Sequence, residues 1–288
     1  MTDDEGSTLT WRALWTEISG VLGNANEGRW ICQEAGGLDS IEWASSLDDL
    51  VTERAVARVD AMVARRRTGE PLQYVLGSWP FRTVELMVDR RVLIPRPETE
   101  QLAELAIAAA RESGPERVVV DLGTGSGAIA LACAAELPIE GTTVWASDVS
   151  PDAVAVARAN AAGLGRVAAN VRIVEGSWFD ALPADIMGRV DVVVSNPPYI
   201  AEGDPEVDAS VSQWEPHLAL FSGDDGLAAL RHIITSSRDW LAPGGVLLLE
   251  IGYRQGPEVR ALLEASGYRE VVIRADLAGH DRFAYARR

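Results

Sequence analysis

The sequence predicts an α/β protein in which a small N-terminal all-α domain precedes a mostly parallel sheet. Apolar residues recur at helical spacing up to about residue 76, and a two-residue alternation appears over 72–94. From residue 118 onward, apolar strands alternate with helices, which is typical of a parallel sheet covered on both faces. The chain of 288 residues has room for one large or two modest domains.

Residues 1–71 are predicted to form the helical domain. Trp11, Leu14 and Ile18 recur at steps of three and four residues, so they share one face of a helix. A later helix is predicted at about 52–67, because its apolar positions share a face and a glycine and a proline follow it.

Residues 72–94 are predicted to form a β-hairpin linker. Large apolar residues occupy every second position at Leu72 and Tyr74, and again at Val84 and Leu86. This period of two residues is the signature of a strand rather than a helix.

Residues 95–288 are predicted to form the α/β domain. Thr99 is the expected N-cap of its first helix, because Leu102 and Leu105 follow with helical spacing. The seven predicted strands span residues 118–122, 143–149, 171–175, 190–195, 245–251, 271–274 and 283–286. The last two are expected to close one edge of the sheet.

The net charge and the two cysteines disfavour several classes of function. Asp and Glu number 43 against 26 for Lys and Arg, and the formal net charge of −17 disfavours a nucleic-acid substrate. Cys32 and Cys133 lie far apart among apolar neighbours, which fits buried thiols in a reducing compartment. Neither they nor the three histidines have the spacing of metal ligands, so no metal site is predicted.

No membrane partner is predicted either. The longest apolar runs are shorter than the roughly 18 residues of a membrane span. The acidic start Met1–Glu5 lacks the basic region of a signal peptide, so the predicted location is cytoplasmic.

The tetrapeptide Asn196-Pro197-Pro198-Tyr199 follows the apolar strand predicted at 190–195. A conjugated NH2 group donates two hydrogen bonds, and the Asn196 side-chain oxygen and the Pro197 carbonyl offer two acceptors. The flat Tyr199 ring can stack on the plane that carries the NH2 group. The segment predicts a clamp for a planar amino group, although two prolines also serve simply to end a strand.

The strand predicted at 118–122 leads into a glycine-rich turn, which we call the glycine loop. The glycine loop consists of Gly123, Thr124, Gly125, Ser126 and Gly127. Glycines let the backbone approach a ligand at a helix N-terminus. The spacing also satisfies a variant of the dinucleotide fingerprint, with Asp148 about 20 residues on, where a ribose-binding acid belongs.

Two features favour S-adenosylmethionine over NAD as the cofactor. The third glycine falls at Gly127 after a leading acid, Asp121, and no residue stands out as a hydride-transfer acid or base. A turn without any ligand is the remaining alternative. Downstream, Trp178 follows the strand predicted at 171–175, so it either borders the adenine or packs between sheet and helix.

Five segments in series carry a resemblance to a known family. The segments span residues 69–74, 93–100, 121–127, 195–200 and 215–220, and they read GEPLQY, LIPRPETE, DLGTGSG, SNPPYI and EPHLAL. In this order they resemble the family of protein-(glutamine-N5) methyltransferases that act on peptide chain release factors, and the resemblance covers nearly the whole chain. It implies a class I S-adenosylmethionine-dependent, Rossmann-like methyltransferase domain behind the small helical domain.

The resemblance also implies a reaction and its residues. The methyl group moves from S-adenosyl-L-methionine to the glutamine side-chain amide in the Gly-Gly-Gln motif of class 1 release factors, leaving S-adenosyl-L-homocysteine. By analogy, the glycine loop, Asp148, Trp178 and Asn196 line the cofactor, while Asn196–Tyr199 hold the glutamine. The expected catalytic residues are Asn196, Pro197 and Tyr199. Ser177 departs from the family, which usually has an acid there, and a hydroxyl is a weaker acceptor for the adenine amino group.

Four other functions compete with this interpretation. An N6-adenine DNA methyltransferase presents the same clamp to adenine, but the net charge argues against it. A glutamine methyltransferase of a ribosomal protein is a closer alternative, since a helical domain that binds a protein substrate is compatible with either a release factor or a ribosomal protein. An NAD-dependent oxidoreductase and a non-catalytic protein-binding module are the alternatives from other classes.

Overall fold

The structure is a computed structural model that describes residues 9–205 and 209–288, so the acidic start Met1–Glu5 lies outside the described residues. By its internal contacts the chain divides into two compact units, Met1–Ser78 and Trp79–Arg288. Boundaries at 71 and 94 stay a prediction. Within the described ranges, no helix is both long and apolar enough to cross a membrane.

The first unit is helical, as predicted. Its described helices are α1 (Trp11–Leu22), α2 (Ala25–Gly36), α3 (Ser40–Ser46), α4 (Glu53–Arg67) and α5 (Leu72–Leu76). Trp11, Leu14 and Ile18 are the buried face of α1, which the spacing requires. The side chains of Asn24 and Thr52 accept hydrogen bonds from first-turn N–H groups, and these caps fix where α2 and α4 begin.

The strand predicted at 72–76 is wrong, because this segment is the short helix α5. Pro71 stands before its first residue, and Gly77 ends it with a φ of 83°, a conformation that favours glycine. A two-stranded hairpin follows, formed by β1 (Ser78–Phe81) and β2 (Val84–Met87).

The second unit contains the predicted mostly parallel, seven-stranded sheet. Its strands are β3 (Arg117–Leu122), β4 (Thr142–Asp148), β5 (Val171–Glu175), β6 (Val190–Ser195), β7 (Leu241–Glu250), β8 (Arg269–Ala275) and β9 (Asp281–Arg287). They lie in the order β5-β4-β3-β6-β7-β9-β8. The first five are parallel. β9 lies between β7 and β8 and is antiparallel to both, so β9 and β8 form one edge of the sheet.

The described helices of this unit alternate with the strands. They are α6 (Pro97–Glu112), α7 (Ala128–Glu136), α8 (Pro151–Leu164), α9 (Ala209–Trp214), α10 (Ala228–Trp240) and α11 (Gly256–Ala265). Consecutive residues Val192, Val193 and Val194 of β6 are fully buried. Because consecutive strand residues point to opposite faces, both faces of the sheet are covered, and this confirms the predicted α/β fold.

Thr99 does not cap α6, contrary to the prediction. The helix begins at Pro97, with Arg96 as its extended N-cap residue, because a proline is favoured in the first helical position. Thr99 therefore lies inside the first turn, and it is buried. Its hydroxyl forms hydrogen bonds with side chains in the interior of the protein rather than with the N–H groups at the helix end.

Two side chains fasten β2 and its turn to the helices of the second unit. Arg82 places two guanidinium nitrogens 2.6 and 2.9 Å from the carboxylate oxygens of Glu136 on α7. The Asn160 side chain on α8 accepts from the Met87 N–H at 2.7 Å and donates to the Met87 carbonyl at 3.1 Å. Asn160 also donates to the carbonyl of Ser126 at 2.9 Å, which links the hairpin to the glycine loop.

Candidate active site

The site lies at the carboxyl edge of the parallel strands. The ends of β4, β3, β6 and β7 are neighbours in the sheet, so the residues that follow them meet there. A cavity of about 500 Å³ opens at this edge, and we call it the main cavity. Its size and place are those of a ligand site in an open α/β sheet.

The main cavity brings together six of the residues predicted from the sequence: Gly123, Gly125, Asp148, Trp178, Asn196 and Pro198. The other glycine-loop residues lie behind the cavity wall. Thr124 and Ser126 are buried, and a Cβ on Gly127 would meet Leu131 at 3.0 Å. Thr124, Ser126 and Gly127 are not among the residues described as lining the cavity.

Asp121 stabilises the glycine loop through hydrogen bonds to its buried side chain. Its Oδ2 atom accepts hydrogen bonds from the Thr124 hydroxyl at 2.6 Å and from the Ala130 N–H at 3.1 Å. Burial raises the pKa of Asp121 to about 7. Its Oδ1 atom is buried and has no hydrogen-bond partner in the described part of the chain. Asp121 thus shapes the loop, whereas Asp148 is the acid that lines the cavity.

Asp148 is held by backbone groups on both sides. Its Oδ2 atom accepts from the Gly125 N–H and its Oδ1 atom from the Ser150 N–H, each at 2.9 Å. Burial nevertheless raises its pKa above the usual range. Each oxygen keeps a further lone pair, so Asp148 can also accept from a ligand hydroxyl.

Trp178 forms the aromatic wall of the main cavity. A Cβ on Gly123 would lie only 3.3 Å from its ring, so a side chain there would press on the tryptophan. The φ of Trp178 is 46°, which is rare for a bulky residue. The Ser147 hydroxyl donates to the Trp178 carbonyl at 2.8 Å and helps to hold this conformation. His232 lies beside it, with ring centroids 6.5 Å apart.

A smaller cavity of about 110 Å³ adjoins the main one. Asn196, Pro197 and Tyr199 line it, and Arg96 and Glu250 also contribute. Asn196 lines both cavities. The tetrapeptide therefore lies between two cavities, one of about 500 Å³ and one of about 110 Å³.

A chain of hydrogen bonds fixes the Asn196 side chain. Its Nδ2 atom donates to the Thr99 hydroxyl at 3.1 Å, and that hydroxyl donates to Glu250 Oε2 at 2.7 Å. The Tyr199 hydroxyl lies 3.4 Å from the other carboxylate oxygen, Oε1 of Glu250. Burial raises the pKa of Glu250 to about 7.

A second buried acid, Glu215, joins the segment before α6 to the segment after α9. Its Oε2 atom accepts from the Ile94 N–H at 3.1 Å. Its Oε1 atom forms an ion pair with Arg96. This contact holds Arg96 at the edge of the smaller cavity.

Sequence reasoning missed the supporting residues of the site. Thr99 was expected at a helix end, and Glu250 had no assigned role. The available signal was an acid at the end of the apolar run 246–249, since an acid in a buried strand needs a partner. Glu215 lay in a recognised motif without a role. Among the described residues, no group of acids, histidines and cysteines is arranged to hold a metal ion.

The chain is similar to known methyltransferases in both of its parts. Residues 18–77 match the PrmC N-terminal domain, and residues 102–213 match the Methyltransferase small domain. The release factor glutamine methyltransferase of Vibrio cholerae is 43% identical over 235 residues, covering 82% of this chain and 79% of that protein. The one of Cereibacter sphaeroides is 42% identical over 270 residues, covering 93% of each.

A solved structure supports the fold alone. The catalytic domain of hMettl16, determined in complex with the MAT2A 3'UTR hairpin 6, has a TM-score of 0.51 and 17% identity, covering 82% of this chain and 81% of that one. Two relatives above 40% identity over most of the chain are decisive for the family. With the parallel sheet, the glycine loop and the matches in both parts, the chain is a methyltransferase that belongs to the family of release factor glutamine methyltransferases.

Proposed function

We propose that the protein methylates the N5 amide nitrogen of the glutamine in the Gly-Gly-Gln motif of class 1 peptide chain release factors, with S-adenosyl-L-methionine as donor. The observation that carries the proposal is the position of Asn196, which lines both cavities and has its Nδ2 atom committed to Thr99. Its Oδ1 atom is then the acceptor available to a substrate NH2 group.

The main cavity suits the cofactor by size and chemistry. Gly123 and Gly125 line its wall with backbone that carries no side chain. Their φ values of 68° and 57° lie in the region that favours glycine. Asp148 offers carboxylate lone pairs to ribose hydroxyls, and the Trp178 ring offers a flat surface to adenine. When bound there, the cofactor supplies an electrophilic methyl group on a sulfonium sulfur.

The smaller cavity suits the glutamine side chain. An amide nitrogen is a poor nucleophile, because its lone pair is delocalised into the carbonyl. Hydrogen bonds from the NH2 group to Asn196 Oδ1 and to the Pro197 carbonyl orient the nitrogen and stabilise the positive charge that develops on it. Tyr199 fixes the amide plane, and Pro198 keeps the turn rigid. No base is needed before transfer, since the proton leaves the nitrogen afterwards.

The helical region is proposed to bind the release factor outside its Gly-Gly-Gln loop, because a short loop offers little surface for recognition. This assignment rests on the match of residues 18–77 to a domain found in the family. A substrate that acts in translation also keeps the cytoplasm as our expected location. With the full chain as enzyme, KM for an intact release factor should be well below KM for a peptide of the loop.

Mass spectrometry of the substrate tests the proposal. A class 1 release factor and a purified set of ribosomal proteins are incubated separately with enzyme and S-adenosyl-L-methionine, and any added methyl group is mapped. We expect one methyl group on the glutamine of the Gly-Gly-Gln motif and none on a release factor whose motif glutamine is replaced. Methylation of a ribosomal glutamine instead would assign a different substrate, and methylation of neither would reject the proposal.

A further inference from the structure

Glu250 is a buried carboxylate that anchors two neighbours of the substrate site at once. It ends β7 and is 2% exposed, and Thr99 is 4% exposed. The Thr99 hydroxyl lies 2.7 Å from Oε2, and the Tyr199 hydroxyl lies 3.4 Å from Oε1. In both contacts the hydroxyl is the donor, so both hydroxyl protons point toward Glu250.

The hydrogen bond from Thr99 to Glu250 sets the direction of the next hydrogen bond. A hydroxyl has one proton, and Thr99 commits it to Glu250, so toward Asn196 the Thr99 oxygen can only accept. Only the Nδ2 end of the Asn196 amide can satisfy that oxygen. Turning the amide over would place Oδ1 against the Thr99 oxygen with no proton between them. We call Glu250 and Thr99, with their hydrogen bonds to Asn196 and Tyr199, the relay. The relay therefore holds Oδ1 of Asn196 on the side away from Thr99.

We propose that Thr99 and Glu250 are positioning residues for methyl transfer, which act through their hydrogen bonds to Asn196 and Tyr199 and so orient the Asn196 amide and the Tyr199 ring toward the glutamine. This inference rests on the function proposed above and adds the residues that keep the acceptor geometry. It assigns no chemistry to Glu250, which neither gives nor takes the substrate proton. The relay acts through Asn196 and Tyr199, which line the smaller cavity together with Glu250.

A matched pair of substitutions separates orientation from packing. Thr99→Val keeps the shape of the side chain and removes the hydroxyl, whereas Thr99→Ser keeps the hydroxyl and removes a methyl group. Thr142→Val makes the same change at a buried threonine at the amino end of β4, away from the site. For each variant, kcat, KM for a Gly-Gly-Gln peptide, the Kd of S-adenosylhomocysteine and thermal unfolding are measured.

We expect Thr99→Val to lower kcat at least about tenfold, which is the effect of about 1.4 kcal/mol on the barrier. The Kd of S-adenosylhomocysteine should change less than about twofold, since Thr99 does not line the main cavity. Thr99→Ser should restore kcat to within about threefold of the wild type, and Thr142→Val should leave it unchanged. Equal losses for Thr99→Val and Thr99→Ser would show a packing role and overturn the inference.

A double variant tests whether the two residues act along one path. Glu250→Ala should lower kcat at least as much as Thr99→Val, because it releases Tyr199 as well. Combining the two should lower kcat no more than about twofold beyond Glu250→Ala alone. Effects that multiply instead would refute the relay. A wild type that methylates no release factor would reject the proposed function, whereas an active wild type with an unaffected Thr99→Val would reject the relay only.

Discussion

Replacing Glu250 by glutamine should change how stability depends on pH. Burial is the main cause that raises the pKa of this carboxyl, and the charge of Glu98 on α6 adds to it. The hydrogen bonds from Thr99 and Tyr199 and the charge of Arg282 on β9 act in the opposite direction, but they only partly offset burial. Glutamine has nearly the same shape and does not titrate.

The expected size follows from the two pKa values of the carboxyl. The folded value is about 7 and the ordinary value is 4.5, so the folded protein favours the protonated acid. This contribution to stability is fully present below pH 4.5 and is lost as the pH rises through 7. Between pH 5 and pH 8 the wild type should therefore lose about 2 to 3 kcal/mol relative to Glu250→Gln.

Urea unfolding at several pH values measures this difference. The free energy of unfolding of Glu250→Gln minus that of the wild type should increase steadily from pH 5 to pH 8. Other titrating groups, including Asp121, are common to both proteins and cancel in the difference. Glu258→Gln, at an exposed acid on α11, serves as the matched control and should show no such trend. A difference that is flat or that decreases with pH would refute the reasoning.

Three other substitutions probe the site and the fold. Asn196→Ala should lower kcat at least about 100-fold while the Kd of S-adenosylhomocysteine changes far less; a proportional loss of affinity would show that Asn196 mainly binds cofactor. Gly123→Ala should weaken S-adenosylhomocysteine binding about tenfold or more in calorimetry, because its φ is 68° and its Cβ would lie 3.3 Å from the Trp178 ring. Arg82→Met should lower the free energy of unfolding by about 1 to 3 kcal/mol, since it leaves the largely buried Glu136 carboxylate without its partner; unchanged urea unfolding would contradict that.

The fold was predictable because its strongest signals are periodic. Apolar strands that alternate with helices predicted the mostly parallel sheet, and both the sheet and its two closing strands are confirmed. The segment at 72–76 was misassigned because five residues are too few to separate a period of two from a helical period. Thr99 was misassigned because Pro97, two residues earlier, is favoured in the first position of a helix, so α6 begins at Pro97.

The residues at the carboxyl edge of the sheet were predictable where glycines allow unusual backbone conformations and prolines fix φ. The glycine loop and the tetrapeptide are such segments, and the structure brings them to one edge of the sheet. An acid at the end of the apolar run 246–249 indicates that Glu250 needs a partner, but no local signal identifies that partner, because the pairing with Thr99 arises only when the chain has folded. The roles of the individual lining residues stay predictions until ligand binding is measured.

The separation of the relay residues along the chain has a consequence for folding. Gly125 and Asp148, which line the main cavity, are 23 residues apart. Thr99 is 97 residues from Asn196 and 151 from Glu250. Contacts between distant residues carry a larger loop-closure cost, and during synthesis Glu250 is made last of these five. In a growing chain the contact between Gly125 and Asp148 can therefore form before β7 has been made, whereas the contacts of Thr99 and Tyr199 with Glu250 can form only after β7 has been made.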